Sequence, residues 1–265
     1  MIVAIAVWEP SCWRVLPEKS AEIIKEKKYT ASMSARTPEV RTCGDRTVMV
    51  EFDPVIAPEI NEAVHSLTAA VDTARIPGIV ECTPSYHSLG IHYDPLQIGY
   101  ADVVQRVREI IESGPQHQRS AVQRVEVPVV YGGDFGPDLK SVARAHGLSV
   151  EAAVTLHSEA VYRVCLIGFT PGFPYLSGLP EALATPRLPT PRASVPAGSV
   201  AIGGRQCGIY PVNSPGGWSI LGRTPLRLFD VQQAEPCLLS PGDEVVFRSI
   251  CEREFAEIAS QVGAL

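Results

Sequence analysis

The densest set of potential binding residues lies in one short stretch, 161–176, with the sequence VYRVCLIGFTPGFPYL. An apolar run enters a turn in which two glycines permit unusual backbone angles and two prolines fix φ. Three aromatic side chains stand on this stiff turn. Either it lines a binding groove or it caps the core, and the stretch alone supports the two interpretations about equally. The candidate substrate-binding residues here are Gly168, Phe169, Pro171, Gly172, Phe173 and Tyr175.

Further along, three arginines lie in or beside loops rich in glycine and proline: Arg187, Arg192 and Arg205. A guanidinium group is a planar fork of donors that suits carboxylates and phosphates. A solvated loop arginine is the commoner fate of any single one, and a shared face for all three is a hypothesis. We predict catalytic positions at Arg192 and Arg205.

His157 is the third candidate catalytic residue, because an unperturbed imidazole titrates near neutral pH and can orient a substrate or move a proton. No carboxylate partner can be identified from the sequence. A helix histidine that bonds a neighbouring carbonyl is therefore slightly favoured over a catalytic one. The six histidines are too dispersed to predict a metal site.

Two glycine pairs, Gly203-Gly204 and Gly216-Gly217, can present backbone N–H groups to an oxyanion or can form hairpin turns. Tyr210 and Trp218 either stack on a ligand or pack the end of the domain, and packing is the favoured alternative. The remaining candidate substrate-binding residues are Gly198, Tyr210, Pro215, Gly216, Gly217 and Trp218.

Several catalytic signatures are missing from the sequence: the phosphate loop, the dinucleotide fingerprint, the zinc-protease motif, the serine nucleophile elbow and the Ser-Ser-Lys signature of amidases. The net charge of −6, without a dense basic stripe, argues against a nucleic-acid partner. No segment approaches the ~20 apolar residues that cross a bilayer, so we predict no membrane partner. Seven scattered cysteines without a secretory signal predict reduced thiols and a cytoplasmic location.

At 265 residues, two domains of ordinary size are expected, here of the α+β class, after an N-terminal extension at 1–37 to which we assign no function. Residues 38–120 predict a small ferredoxin-like α+β domain. Its first helix is expected from about Val55, with Asp53 as N-cap and Pro54 at the first helical position, and its second ends at Gly114. Residues 121–265 predict a β-barrel or sandwich, because short apolar runs alternate with Gly/Pro turns. One helical interruption, at about 138–160, is broken at Gly147 and capped at Ser149.

Many short motifs, in a consistent order over roughly residues 38 to 250, resemble the family named variously allophanate hydrolase subunit 1, kinase A inhibitor KipI and the B subunit of 5-oxoprolinase. The resemblance implies a cyclophilin-like β-barrel for the second domain. The motifs are GD at 44–45, PSY at 84–86, VPVVYGG at 127–133, GPDL at 136–139, LHS at 156–158, TPR at 185–187, VPAGS at 195–199, IGG at 202–204, GIYP at 208–211 and SPGGW at 214–218.

The resemblance also implies a function. Family members resemble one half of a two-part unit whose other half is a protein similar to allophanate hydrolase subunit 2, which is also named the C subunit of 5-oxoprolinase. With a third protein, similar to the A subunit of 5-oxoprolinase, such a complex uses ATP to open 5-oxoproline to glutamate, and the active groove forms where the two halves meet. Phosphorylating the poor lactam electrophile creates a good leaving group. Where this chain would contact ATP is left open.

Three alternatives stay open. The chain could be a regulatory protein that inhibits a sensor histidine kinase, since the family includes such an inhibitor. It could be a carboxyltransferase-type subunit that acts on urea-derived amides, which are chemically close to lactams. Prolyl isomerisation is suggested by the fold alone, which is a weak argument because one fold hosts many functions.

Overall fold

Alternating apolar residues build a four-stranded antiparallel sheet in the first region. In the central strand β2, Val48 and Val50 are fully buried, whereas their neighbours are partly exposed. The strand order is β1-β2-β4-β3. The strands are β1 (Glu39–Thr42), β2 (Thr47–Glu51), β3 (Ile79–Pro84) and β4 (Ser88–Tyr93). The computed structural model describes residues 37–114 and 122–262, so most of the predicted extension and the predicted linker lie outside the described residues.

Two helices, α1 (Pro58–Ala74) and α2 (Tyr100–Ser113), pack on this sheet and share its apolar core. The predicted start of the first helix was wrong: the N-cap is Ala57 and the first helical residue is Pro58, because this second proline also suits the first helical position. Gly114 ends α2 with φ of 71°, which its lack of a Cβ permits. The elements of this region follow the order ββαββα, whereas a ferredoxin-like unit follows βαββαβ. The ferredoxin-like fold is therefore not confirmed.

Seven strands of the second region close into a barrel in the order β10-β7-β6-β13-β5-β12-β9. All neighbours are antiparallel except β5 and β13, which are parallel. The barrel strands are β5 (Arg124–Tyr131), β6 (Val161–Ile167), β7 (Pro174–Ser177), β9 (Ser199–Gly203), β10 (Gln206–Ile209), β12 (Ser219–Arg223) and β13 (Glu244–Ser249). The barrel alternative is therefore confirmed over the sandwich, while the cyclophilin-like name stays a prediction. Strands β8 (Arg192–Val195) and β11 (Ser214–Gly216) form a separate ribbon.

The predicted helical interruption of the barrel is present as α3 (Leu139–Ala145) and α4 (Val150–Glu159). Gly147, with φ of 66°, separates them, and Ser149 caps α4 by accepting a hydrogen bond from the backbone N–H of Ala152 at 3.1 Å. A further helix, α5 (Glu252–Val262), follows the last strand and was not predicted. Within the described residues, no helix is both long and apolar enough to span a membrane.

The two regions meet where β6 is irregular. The register between β6 and β7 shifts between Val164 and Leu166. At this shift, the carbonyl of Cys165 is contacted from α1 by Asn61 Nδ2 at 3.1 Å and by His65 Nε2 at 2.6 Å. The helix thus lies against the strand that leads into the stretch of candidate binding residues.

Candidate functional site

A rigid turn connects β6 to β7. Phe173 N–H donates to the Thr170 carbonyl at 3.0 Å, and Gly168 N–H donates to the Phe173 carbonyl at 3.0 Å. Between them stand Pro171 and Gly172, whose φ is 82°. Proline followed by a glycine with positive φ is the arrangement of a type II turn. We call residues 168–175 the bend.

Phe169 is the most unusual residue of the bend. Its φ is 63°, a left-handed conformation that is uncommon for a bulky residue, and its side chain is 59% exposed. Holding a non-glycine residue there costs on the order of 1 kcal/mol or more. The fold maintains a strained backbone and presents an aromatic ring to solvent at the same point, a combination that is common at binding sites.

Beneath Phe169 lies a cluster of four rings, which we call the bend cluster: Phe173, Tyr175, Tyr210 and Trp218. The Phe173 ring is only 2% exposed and lies 4.9 Å from Tyr175, 5.1 Å from Tyr210 and 5.7 Å from Trp218, between ring centroids. Most of these pairs are edge-to-face, a favourable aromatic geometry. The prediction that Tyr210 and Trp218 serve packing therefore fits their buried positions, while the rim of the cluster stays open at Phe169.

Glycines make room for these rings. A Cβ at Gly208 would lie 2.7 Å from the Phe173 ring, and one at Gly203 would lie 2.8 Å from the Trp218 ring. A Cβ at Gly216 would overlap the Tyr210 hydroxyl. Larger residues would displace the rings, since real Cβ atoms do not approach so closely.

The two glycine pairs are thus occupied by packing and backbone pairing. Gly204 N–H donates to the Thr185 carbonyl at 2.7 Å, and the Gly217 carbonyl accepts from Leu188 N–H at 2.7 Å. Gly198, with φ of 80°, donates to the Tyr210 carbonyl at 2.7 Å. The Gly204 N–H is therefore used in backbone pairing, while Gly203 and Gly216 make room for rings, so both pairs have a structural role.

Arg192 lies at the start of β8 and is held by the barrel. Its Nη2 donates to Asp138 Oδ1 at 2.7 Å, and its Nη1 donates to the Trp218 carbonyl at 3.4 Å. The second oxygen of Asp138 accepts from Ile220 N–H at 2.7 Å. This network fastens the β8–β11 ribbon, which contains Pro215, to the barrel. A catalytic role for Arg192 stays a prediction beside this structural one.

The other two arginines differ from Arg192 and from each other. Arg205 forms an ion pair with Glu181, and both side chains are largely exposed. Arg187 is exposed as well, and its Cζ lies 5.8 Å from the centroid of the Trp218 ring. Only Arg187 and Arg192 therefore contact the bend cluster, and Arg205 is paired elsewhere.

His157 lies in a second cluster, inside the barrel, which we call the core cluster: Tyr131, His157, Tyr162, Cys207 and Phe247. Its Nδ1 is 2.8 Å from the Tyr131 hydroxyl and its Nε2 is 3.5 Å from Cys207 Sγ. The Tyr162 hydroxyl donates to the His157 carbonyl at 3.0 Å. Full burial lowers the pKa of His157 to about 3, so the ring is neutral at physiological pH. Its ring partners are a hydroxyl and a thiol instead of the expected carbonyl, and its catalytic role stays a prediction.

One residue at the site was missed from the sequence, although it lies in a quoted motif. Tyr86, from the first region, packs edge-to-face on Tyr175 with ring centroids 6.1 Å apart. Its hydroxyl is buried, as is Thr170 Oγ1 in the bend, and neither has a hydrogen-bond partner within the part of the chain that the structure describes. A buried unpaired polar group costs about 1–3 kcal/mol. The PSY motif at 84–86 was the available signal.

The site is thus an aromatic surface with an exposed rim, an arginine beside it and two buried hydroxyls that have no partner among the described residues. Across residues 37–114 and 122–262, no cluster of three or more histidine, cysteine or acidic residues is placed to hold a metal ion. An exposed ring beside a guanidinium group is an arrangement suited to contact with a flat ligand.

Known proteins are similar to this chain in sequence and in fold. Residues 38–239 match the family model of the carboxyltransferase domain, subdomain C and D. The chain is 39% identical over 231 residues to the B subunit of 5-oxoprolinase from Bacillus subtilis (strain 168), a match that covers 82% of this chain and 95% of that protein.

Solved structures agree with these matches. The crystal structure of TTHA0988 has a TM-score of 0.69 and 38% identity, over 80% of this chain and 40% of that one. The chain therefore spans less than half the length of that protein. The K. lactis urea amidolyase, with a TM-score of 0.72 and 22% identity over 88% of this chain and 16% of that one, shares the fold. The chain belongs to the carboxyltransferase-domain family that includes the B subunit of 5-oxoprolinase, a family also named allophanate hydrolase subunit 1.

Proposed function

We propose that this chain is a non-autonomous subunit of an ATP-dependent 5-oxoprolinase, a lactam hydrolase, and that it forms one side of an active groove. Its similarity to the B subunit of the Bacillus subtilis 5-oxoprolinase, over 95% of that protein's length, supports this role. The substrate would be a small cyclic amide, and the reaction would yield L-glutamate. The chain's own contribution is to bind and orient the substrate.

The exposure of Phe169 is the observation that carries the proposal. Phe169 has a strained backbone and is 59% exposed at the rim of a largely buried aromatic cluster, so much of its surface has no contact with the described residues. The unpaired hydroxyls of Tyr86 and Thr170 support the same idea, because buried polar groups are normally paired. We infer that a second polypeptide covers this rim and that the substrate lies between the two.

The covering partner we propose is a protein similar to allophanate hydrolase subunit 2, the C subunit of 5-oxoprolinase. A protein similar to the A subunit of 5-oxoprolinase is the third component. ATP is used by this complex. Because this chain lacks a phosphate-loop motif and the Gly204 N–H is used in backbone pairing, we expect the partners to supply most of the contacts to ATP. The cytoplasmic location stays a prediction.

The test is reconstitution. ATP hydrolysis that depends on 5-oxoproline is measured with the chain alone, with each partner singly, and with all three proteins. We expect turnover only in the full mixture. A mixture that assembles and shows no turnover contradicts the proposal. Turnover of a urea-derived amide instead, or inhibition of a histidine kinase by this chain alone, would replace it with one of the alternative functions.

A further inference from the structure

One arginine beside the bend cluster has no anionic partner among residues 37–114 and 122–262. Arg192 is bonded to Asp138 and Arg205 is paired with Glu181. Among the described residues, no aspartate or glutamate forms an ion pair with Arg187, whose guanidinium lies over the Trp218 ring. Its fork of donors is therefore free to bind a ligand.

The backbone around Arg187 is fixed on both sides. Thr185 and Gly204 exchange two hydrogen bonds, Thr185 N–H to the Gly204 carbonyl at 3.1 Å and Gly204 N–H to the Thr185 carbonyl at 2.7 Å. Leu188 N–H donates to the Gly217 carbonyl at 2.7 Å. The chain is thus anchored to the glycine turns both before and after Arg187. A guanidinium held over an aromatic face loses less freedom on binding than one on a mobile loop.

The charge of Arg187 acts on three tyrosines at this site. Burial raises the pKa of Tyr86, Tyr175 and Tyr210, and in each case the positive charge of Arg187 opposes the rise. The phenols therefore stay protonated and can donate hydrogen bonds to a ligand beside Arg187.

We propose that Arg187 binds the carboxylate of the substrate, so that the site selects small cyclic amides that carry an acid group over neutral ones. The flat ring of such a ligand would lie against the exposed side of the bend cluster, near Phe169. Arg187 is a specificity-determining residue in this account, and the reaction at the amide takes place elsewhere on the same ligand. The inference rests on the proposed function for the identity of the ligand.

Binding to the full chain is measured first. The chemical shifts of the arginine Nε–H and tryptophan indole signals are measured by nuclear magnetic resonance during titration. The ligands are 5-oxoproline, 2-pyrrolidinone (the same ring without the carboxylate) and inorganic phosphate. We expect saturable shifts at Arg187 and Trp218 with 5-oxoproline. Because charge-assisted hydrogen bonds are lost, 2-pyrrolidinone should bind about tenfold to a hundredfold more weakly.

Variants test whether Arg187 causes the difference in affinity between 5-oxoproline and 2-pyrrolidinone. Arg187→Gln should bind the acid and the neutral lactam equally weakly, and Arg187→Lys, which keeps the charge without the fork, should fall between it and the unmodified chain. Arg253→Gln is the matched control and should leave binding unchanged, since Arg253 is an exposed arginine of α5 that is paired with Glu257. The inference would be overturned if Arg187→Gln bound 5-oxoproline as tightly as the unmodified chain does. It would also be overturned if 5-oxoproline caused no shift of the Arg187 signal at any soluble concentration. Phosphate that binds as well as 5-oxoproline would overturn the carboxylate assignment.

Kinetics separate this inference from the proposed function. In the reconstituted complex, Arg187→Gln should raise KM for 5-oxoproline about tenfold or more, with a smaller effect on kcat. An active complex with an unchanged KM contradicts the role of Arg187 alone. If the complex shows no turnover but 5-oxoproline still binds to the chain in a way that depends on Arg187, the proposed function is contradicted and the role of Arg187 is not.

Discussion

The barrel contains two aromatic clusters of similar size and opposite character. In the core cluster, the Tyr131 and Tyr162 hydroxyls and both ring nitrogens of His157 have partners, and Phe247 is 3% exposed. At the bend cluster, Phe169 is 59% exposed and nearby hydroxyls lack partners among the described residues. The first cluster is complete within one chain and stabilises the barrel. The second forms a ring cluster that leaves Phe169 exposed, as the proposed shared binding site requires.

The comparison predicts the largest effect for a change in the core cluster. Phe247→Ala should lower the free energy of unfolding by about 3–5 kcal/mol, because it removes a buried ring and leaves a cavity. Phe169→Ala, the same change at the open cluster, should alter it by less than about 0.5 kcal/mol. Urea unfolding at neutral pH measures both. Equal losses would mean that the two clusters do not differ as described.

A smaller loss is expected where a glycine supports a ring. Gly216→Ala places a methyl group on the Tyr210 hydroxyl and should cost about 1–3 kcal/mol through overpacking. Gly217→Ala is the matched control, because its nearest neighbour, Pro191, would lie at an ordinary 3.6 Å. Thermal unfolding of the two variants gives the comparison. If both behave alike, the packing of Gly216 against Tyr210 is not tight.

The core cluster should also make stability depend on pH. The pKa of His157 is lowered by burial to about 3, whereas an unfolded histidine titrates near 6.5, so the unfolded chain binds more protons between these values. This contribution is fully present above about pH 6.5 and is lost as the pH falls toward 3, by about 1.4 kcal/mol for each pH unit. Urea unfolding from neutral to mildly acid pH measures the slope.

The variant that tests the source of this slope is His157→Gln, which should flatten it. A slope that His157→Gln leaves unchanged would show that the buried ring is not its source.

The smallest effect concerns the backbone of the bend. Phe169→Gly should be about 1 kcal/mol more stable than Phe169→Ala, because glycine adopts a φ of 63° without a steric penalty. Both variants should lose the activity of the reconstituted complex, since both lack the ring. Chemical unfolding and the 5-oxoproline-dependent assay are run on the same preparations. An active Phe169→Gly would show that the ring has no part in the site.

Features set by local signals could be predicted from the sequence. The break at Gly147, the cap at Ser149 and the stiff turn at Pro171-Gly172 each depend on residues within a few positions of one another, and each is present. Even local signals are ambiguous where they occur twice, as at Asp53-Pro54 and Ala57-Pro58, and α1 begins at the second pair.

Features set by distant contacts could not be predicted. His157 is buried by Tyr131 and Cys207, which are 26 and 50 residues away. Arg192 differs from Arg187 because Asp138, 54 residues away, reaches only Arg192. Tyr86 joins the site through the packing of two regions, which no spacing along the chain reveals. The sequence therefore named the residues that form the bend and its ring cluster, but it did not show which of the three arginines is paired and which ring is exposed.

The central claim is that another polypeptide covers the bend. Hydrogen exchange in peptides spanning 168–175, compared with and without the partner similar to allophanate hydrolase subunit 2, tests it most directly. We predict slower exchange at the bend when the partner is added and unchanged exchange in peptides of the core cluster. An active complex in which the bend exchanges as it does in the free chain would contradict the account.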